Sequence, residues 1–263
     1  MFNVRIAWMK KMWMAIAAGS LLLTGCSLQL PSAAQTQNGV AQGGQLVPAT
    51  AGSLAILRDA FAKSASIHRY GVKASISTTA NNFTKTTTLY GHVADPDQVD
   101  MNEVIDGKSY MVIQTSDQTV VRVNDRWAKA NRIEKSFNIF GSLEPVPNYA
   151  KKVYQLKDDT VISTPTYVYQ FEANAADISS GIMSQMTDMA QGEKALPVRY
   201  TVWVGKKDHY IYQIRMQWSH AMPQLGNVAE DTTFMFFDLN AKVPIMISKP
   251  IWDQINKIPK HPK

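Results

Sequence analysis

The chain holds one cysteine, and its surroundings narrow what that cysteine can do. Cys26 closes the run Leu21-Leu22-Leu23-Thr24-Gly25-Cys26 and is followed by Ser27. With no second cysteine it has no intramolecular disulfide partner. Its remaining chemistry is that of a thiolate, a good nucleophile toward an activated group. Upstream stand three cations, Arg5, Lys10 and Lys11, and then thirteen mostly apolar residues from Met12 to Thr24. A spanning helix needs roughly 20 apolar residues, so a basic start, a short apolar run and a small-residue end read as a signal peptide over residues 1–25.

Leu23-Thr24-Gly25-Cys26 resembles a lipobox, the pattern cut just before a cysteine that carries diacylglycerol and often palmitate. The resemblance implies a mature chain starting at lipidated Cys26 and held on the outer face of the cell membrane, or on an outer membrane if the host has one. One acyl chain holds a protein marginally, whereas two or three hold it stably.

Other reactive constellations are missing from the sequence. The histidines are His68, His92, His209, His220 and His261, with no i, i+4 pair on a helix and no H-E-x-x-H. The stretch from Asp95 to Gly107 places Asp95 and Asp97 like the first two ligands of a calcium loop. Val99 then offers no oxygen, and Asp100 stands where the loop needs glycine. Asp158-Asp159 lies in a polar, turn-like stretch and is expected to be solvated. There is no G-x-S-x-G, no phosphate-binding loop and no dinucleotide fingerprint. No catalytic residue, metal or other cofactor is implied, and the chain is expected not to be an enzyme.

Charge adds little. Lys and Arg number 27 against 21 acids, but the signal holds three cations and no acid, so the mature balance falls to 24 against 21, a net of +3. Nucleic-acid binding is not implied.

The elements that must present any site follow in order. Residues 26–52 are rich in Gln, Ala, Gly, Ser, Thr and Pro, a flexible tether with a span of roughly 25–30 Å. Residues 53–263 form one domain. Ser53 is the expected N-cap of a helix with Leu54, Leu57 and Phe61 on one face. The period then changes to two: Tyr70, Val72, Ala74 and Ile76 alternate with small or polar residues. Strands continue through "TKTTTLYGHVA", "QVDMNEVI", "SYMVIQ" and "QTVVRVN", with Asp106-Gly107 a hairpin turn, and Trp127 begins another. Val146, Tyr149, Ala150, Val153 and Tyr154 have helical spacing behind Pro145 and Pro147. "PTYVYQFEA" is a strand with Tyr167, Tyr169 and Phe171 on one face. A second helix is expected from Asp177, with Ile178, Ile182, Met186 and Met189 as its stripe and Gly192 as its stop. The end is β-rich, with Tyr210, Tyr212, Ile214, Met216 and Trp218 at alternate positions, and a last helix starts at Pro250.

The expected fold class is α+β: a large curved antiparallel half-barrel of about eight to eleven strands, covered by two or three helices. The order of elements resembles the LolA/LppX/LprG-like bacterial lipoproteins. The resemblance is carried by the lipobox, by "LAILRDAFAKSASI" running into the first strand, by "DGKSYMVI" with "VVRVNDRWAKA", and by the closing "VRYTVWVGKKDHYIYQIRMQW" and "TTFMFFDLNAKVPIMISKP". It implies a half-barrel around a cavity that binds acyl chains of a lipid or lipidated molecule, for carriage or presentation between membranes. The residues expected to line it are Tyr70, Val72, Ile76, Tyr167, Tyr169, Phe171, Met183, Met186, Tyr210, Tyr212, Ile214, Met216 and Trp218. Flexible methionine suits such a surface. Two other outcomes remain open on the sequence: a lipid- or protein-sensing regulatory lipoprotein without transport, and a surface lipoprotein with a filled core. No protein partner is indicated.

Overall fold

Alternation of apolar and polar side chains builds nearly the whole molecule. A computed structural model describes residues 46–81, 83–94, 97–123, 125–133, 139–174, 196–222 and 226–257. Twelve strands form a single sheet: β1 (Val47–Pro48), β2 (Arg69–Ala80), β3 (Phe83–Ala94), β4 (Gln98–Ile105), β5 (Lys108–Gln114), β6 (Thr119–Val123), β7 (Arg126–Ala130), β8 (Lys151–Val161), β9 (Thr164–Asn174), β10 (Pro197–Gly205), β11 (Ile211–Met222) and β12 (Gly226–Phe237). Their spatial order is β1-β8-β9-β10-β11-β12-β2-β3-β4-β5-β6-β7, and every neighbouring pair is antiparallel. The sheet is open, with β1 and β7 at its ends. The count passes the expected range because of β1, a two-residue strand inside the expected tether. Val47 pairs with Gln155 and Pro48 with Tyr154 of β8.

Three α-helices are described: α1 (Ala51–Ala65), α2 (Ile139–Leu143) and α3 (Lys249–Lys257). Helix α1 starts before Ser53. Its cap is Thr50, whose side chain accepts from the Ser53 backbone N–H at 3.2 Å, so Ser53 sits inside the first turn. Beyond α2 the chain makes a 3-10 turn, Val146–Tyr149, and not the longer helix that the spacing predicts. Val153 and Tyr154 belong to β8. Lys152 has φ +49 and the β8–β9 register shifts between Lys151 and Tyr154, so a bulge produces the spacing of a helix within a strand.

The two faces of the sheet bury different clusters. On the face called inner here, the main core joins Leu57, Ala60 and Phe61 of α1 and Ile139, Phe140 and Leu143 of α2 to residues of β2–β5 and β9–β12. Val93 and Val112 belong to it, whereas their neighbours Ala94 and Ile113 belong to a second cluster, which therefore lies on the outer face. There Val120, Trp127 and Ile245 pack with Ile251, Trp252 and Ile255 of α3. The C-terminal helix is thus held on the back of the sheet beside β7. Lys129 of β7 stands over the Trp252 ring at 5.2 Å.

Two glycines are needed where they stand. Asp106 (φ +50) and Gly107 (φ +75) make the β4–β5 turn with both central residues left-handed, as a tight hairpin requires. At Gly91 a Cβ would lie 2.0 Å from the Asp100 carbonyl oxygen, so β3 and β4 approach there more closely than any side chain permits. The helix expected from Asp177 to Gly192, with Met183 and Met186, lies outside the described residues.

Candidate functional site

The inner face is built by register. One row across the sheet runs Phe171, Tyr200, Met216, Thr232, Ile76 and Thr87. The next runs Tyr169, Val202, Ile214, Phe234, Ala74, Leu89 and Glu103. Of the thirteen residues expected to line a cavity, eight are buried on this face: Tyr70, Val72, Ile76, Tyr169, Phe171, Ile214, Met216 and Trp218. Tyr167 and Tyr210 are half-buried and touch the core from its margin.

Tyr212 is displaced. Trp203 pairs with Gln213 but Val204 pairs with Ile211, so β11 carries one extra residue at Tyr212. Ile211 takes the inner position and is fully buried. The Tyr212 hydroxyl donates to Asp208 Oδ2 at 2.7 Å, and burial together with that carboxylate pushes the phenol up to about 12. Strict alternation cannot reveal a bulge, since Tyr210 and Tyr212 fit the pattern as well as Ile214 does.

Aromatic contacts hold α1 and α2 to the sheet. Phe61 of α1 meets the edge of Phe171 with centroids 6.4 Å apart. Phe140 of α2 packs against Phe236 at 4.3 Å and Tyr70 at 5.1 Å. The Tyr70 hydroxyl accepts from the Ile139 N–H at 3.1 Å, and burial pushes its phenol far up. Ser64 Oγ accepts from the Ile211 N–H at 3.0 Å. Asp59 bonds His209 Nδ1 at 2.9 Å and Lys63 at 3.0 Å, and these two partners, His209 first, hold its carboxyl below the usual range.

The inner face also carries polar groups that the apolar periodicity hides. Glu230 sits between Trp218 and Thr78 in register and is 5% exposed. Desolvation pushes its carboxyl up to about 7, against bonds from Thr232, at 2.9 Å, and Trp218. Glu103 is 3% exposed, also rises to about 7 through desolvation, and has a buried oxygen, Oε1, with no hydrogen-bond partner. The Tyr200 hydroxyl is likewise buried and unpartnered. Flanking this face, a groove of about 320 Å³ lies among Leu54, Leu57, Arg58, Pro147, Lys152 and Val153.

The acidic pair Asp158-Asp159 is partnered. Asp158 and Asp159 stand on β8 and not in a turn; Asp158 pairs with Lys206, and Asp159 Oδ2 accepts from Trp203 Nε1 at 3.0 Å. Asp97 pairs with Arg132. Among the described residues no three of His, Cys, Asp and Glu gather as a metal site, and no helix is long and apolar enough to cross a membrane.

No family model and no curated protein matches this sequence. Solved structures do match its fold. LprF from Mycobacterium bovis superposes with a TM-score of 0.51 at 13% identity, covering 76% of this chain and 98% of LprF. The Mycobacterium tuberculosis lipoprotein LppX gives 0.45 at 10% identity, covering 73% and 97%. At such identity the likeness concerns the fold, and the fold rests on LprF. An open twelve-stranded antiparallel sheet entered by an N-terminal helix, with that superposition, gives the chain the fold of the LolA/LppX/LprG-like lipoproteins.

Proposed function

We propose that this chain is a membrane-anchored extracytoplasmic lipoprotein that accommodates acyl chains of a lipid or lipidated molecule between the inner face and its cover, without a covalent step. The observation that carries the reading is a disparity of layers. Among the described residues, the inner apolar cluster spreads over eight strands, β2–β5 and β9–β12, whereas the helices that pack on it, α1 and α2, have fifteen and five residues. A sheet's apolar face must be buried against something, and a hydrocarbon guest can supply part of that layer. The fold likeness to LprF and the lipobox at Cys26 support the same reading.

Each buried CH₂ contributes about 0.8 kcal/mol, so covering about 10 methylenes gives roughly 8 kcal/mol before ordering costs. The tether from Cys26 keeps the body within reach of a bilayer, and a half-barrel that parts from its helices admits the chain. Met183 and Met186, outside the described residues, belong to this proposal as side chains that contact the acyl chain. Native mass spectrometry of the chain carrying Cys26→Ser, purified from its own host, tests the proposal. Co-purifying lipid is expected. An empty protein whose melting temperature does not move when lipid is added would refute it.

A further inference from the structure

Beside α1 the molecule gathers positive charge in an apolar depression. The groove of about 320 Å³ has Leu54, Leu57, Pro147 and Val153 in its walls, and two cations, Arg58 of α1 and Lys152 of β8, line it with them. Among the described residues that line it there is no carboxylate. Among the described residues, too, neither cation makes an ion pair. Arg58 and Pro147 also line a second depression of about 500 Å³, where Glu144 stands without an ion pair to Arg58. Lys152 is placed by the backbone. Successive side chains of a regular strand point to opposite faces, yet Lys152 and Val153 line the same groove. The bulge that shifts the β8–β9 register holds Lys152 at φ +49, a conformation a lysine adopts only at a cost, and brings it onto the side of α1. Large apolar side chains border the same end. Val47 is 54% exposed and lies two residues before the lining Ala49; Tyr149 is 42% exposed and precedes the lining Ala150.

Unpaired cations set among exposed aliphatic and tyrosine side chains match the chemistry of a bilayer boundary, where phosphate lies outermost and hydrocarbon begins just beneath. The course of the chain points to the same partner. Leu46, the first described residue, stands twenty residues past Cys26, a coil span of about 25 Å, and Ala49 is on the groove wall. A lipidated Cys26 therefore holds this end of the body close to its membrane. From the charge of the groove and the point where the tether meets it, we infer that the folded body docks on an anionic bilayer here. Arg58 and Lys152 take lipid phosphate, while Val47, Leu54 and Tyr149 settle against the apolar boundary. The lipid stays in the bilayer and serves as a surface, not as a guest of the inner face. Docking fixes which end of a loosely tethered body faces the membrane. The inference rests on the anchored-lipoprotein part of the reading above and is independent of any guest.

The test uses residues 27–263, which keep every described residue and lack both the signal and the lipidated cysteine, so that attachment to vesicles has no other anchor. The chain is sedimented with vesicles of phosphatidylcholine alone and with vesicles that hold about one-third phosphatidylglycerol. Attachment to the anionic vesicles is expected, weakened about fivefold by Arg58→Gln, about fivefold by Lys152→Gln and about twenty-five-fold by both. Arg58→Lys keeps the charge and should keep the attachment, and all forms should melt alike. A control pair, Lys73→Gln with Lys108→Gln, removes as much charge from exposed positions on β2 and β5 and should change attachment less than about twofold. Equal attachment to the two kinds of vesicle, an equal loss from the control pair, or full attachment of the double variant overturns the inference. The assay reads attachment and not uptake, so its failure leaves the guest proposal standing, and an empty inner face leaves this inference standing. Acyl groups on Cys26 are read separately from the mass of the host-made chain, which tells failure of the anchor from failure of the docking.

Discussion

Replacing Glu230 by glutamine gives the sharpest test of how the inner face is charged. The side chain is 5% exposed and lies in register between Trp218 and Thr78. Burial, which disfavours the ionised form, pushes its folded-state carboxyl up to about 7, from 4.5 for the free group. The folded chain therefore holds a proton at this site that the unfolded chain has released, over the window from about 4.5 to about 7. The stability linked to it is fully present below the unfolded value, declines as pH rises through the window, and is absent above it. A displacement of this size corresponds to about 3 kcal/mol. Glutamine copies the shape of the protonated acid and does not ionise, so Glu230→Gln changes little at pH 4 and stabilises by up to about 3 kcal/mol at pH 8. With a urea dependence of about 2 kcal/mol per molar, the midpoint rises by about 1.5 M at pH 8. Urea unfolding of the Cys26→Ser chain and its Glu230→Gln form, at steps from pH 4 to 8.5, reads this directly. Two curves of midpoint against pH that run parallel would show that Glu230 is hydrated in the folded protein, and the account of its burial would fail.

Glu103→Gln follows the same logic on the other wing of the sheet, since its carboxyl also rises to about 7, and the double variant should lose most of the decline in stability between pH 4.5 and 7. Gly107→Ala should cost about 1 kcal/mol in chemical unfolding with an unchanged slope; nothing lies within 4 Å of the added Cβ, so the whole cost is that of a left-handed residue. Gly91→Ala meets the β4 backbone, so soluble yield should collapse or the melting temperature fall by well over 10 °C, and a near-normal melting curve would contradict the close approach of β3 and β4. Thr50→Ala removes the cap of α1 and should cost about 1 kcal/mol, whereas Ser53→Ala should not reproduce that loss through capping.

The strands that bury one face were legible residue by residue. Tyr70, Val72, Ala74 and Ile76 alternate in sequence and are buried in space. The Asp106-Gly107 turn is recognisable because so few residue pairs tolerate two left-handed positions. What escaped has local causes. β8 lies beside the short edge strand β1 and buries little, so its burial pattern lacks alternation; the bulge at Lys152 then imitates a helical period. Bulges shift faces without changing residue types, which is why Tyr212 could not be told from Ile214. Thr50 and Ser53 are equally good caps by type, and the choice depends on where the backbone leaves β1. The last helix was legible as a helix, but periodicity does not say which side of a sheet an apolar stripe will meet, and α3 meets the outer one. Glu103 and Glu230 were invisible because a charged letter at an inward position reads as a solvated one.

The β8 margin has a consequence for crowding. Beyond the Val47–Gln155 and Pro48–Tyr154 pairs, β8 carries Lys157, Asp158 and Asp159 with a second shift of register between Leu156 and Asp159. An approaching copy of the chain meets charge and a broken ladder where it needs an even row of donors and acceptors. For a chain anchored as proposed, confinement to two dimensions makes collisions with its own kind frequent, and charge with a broken register at this margin disfavours templating a neighbour.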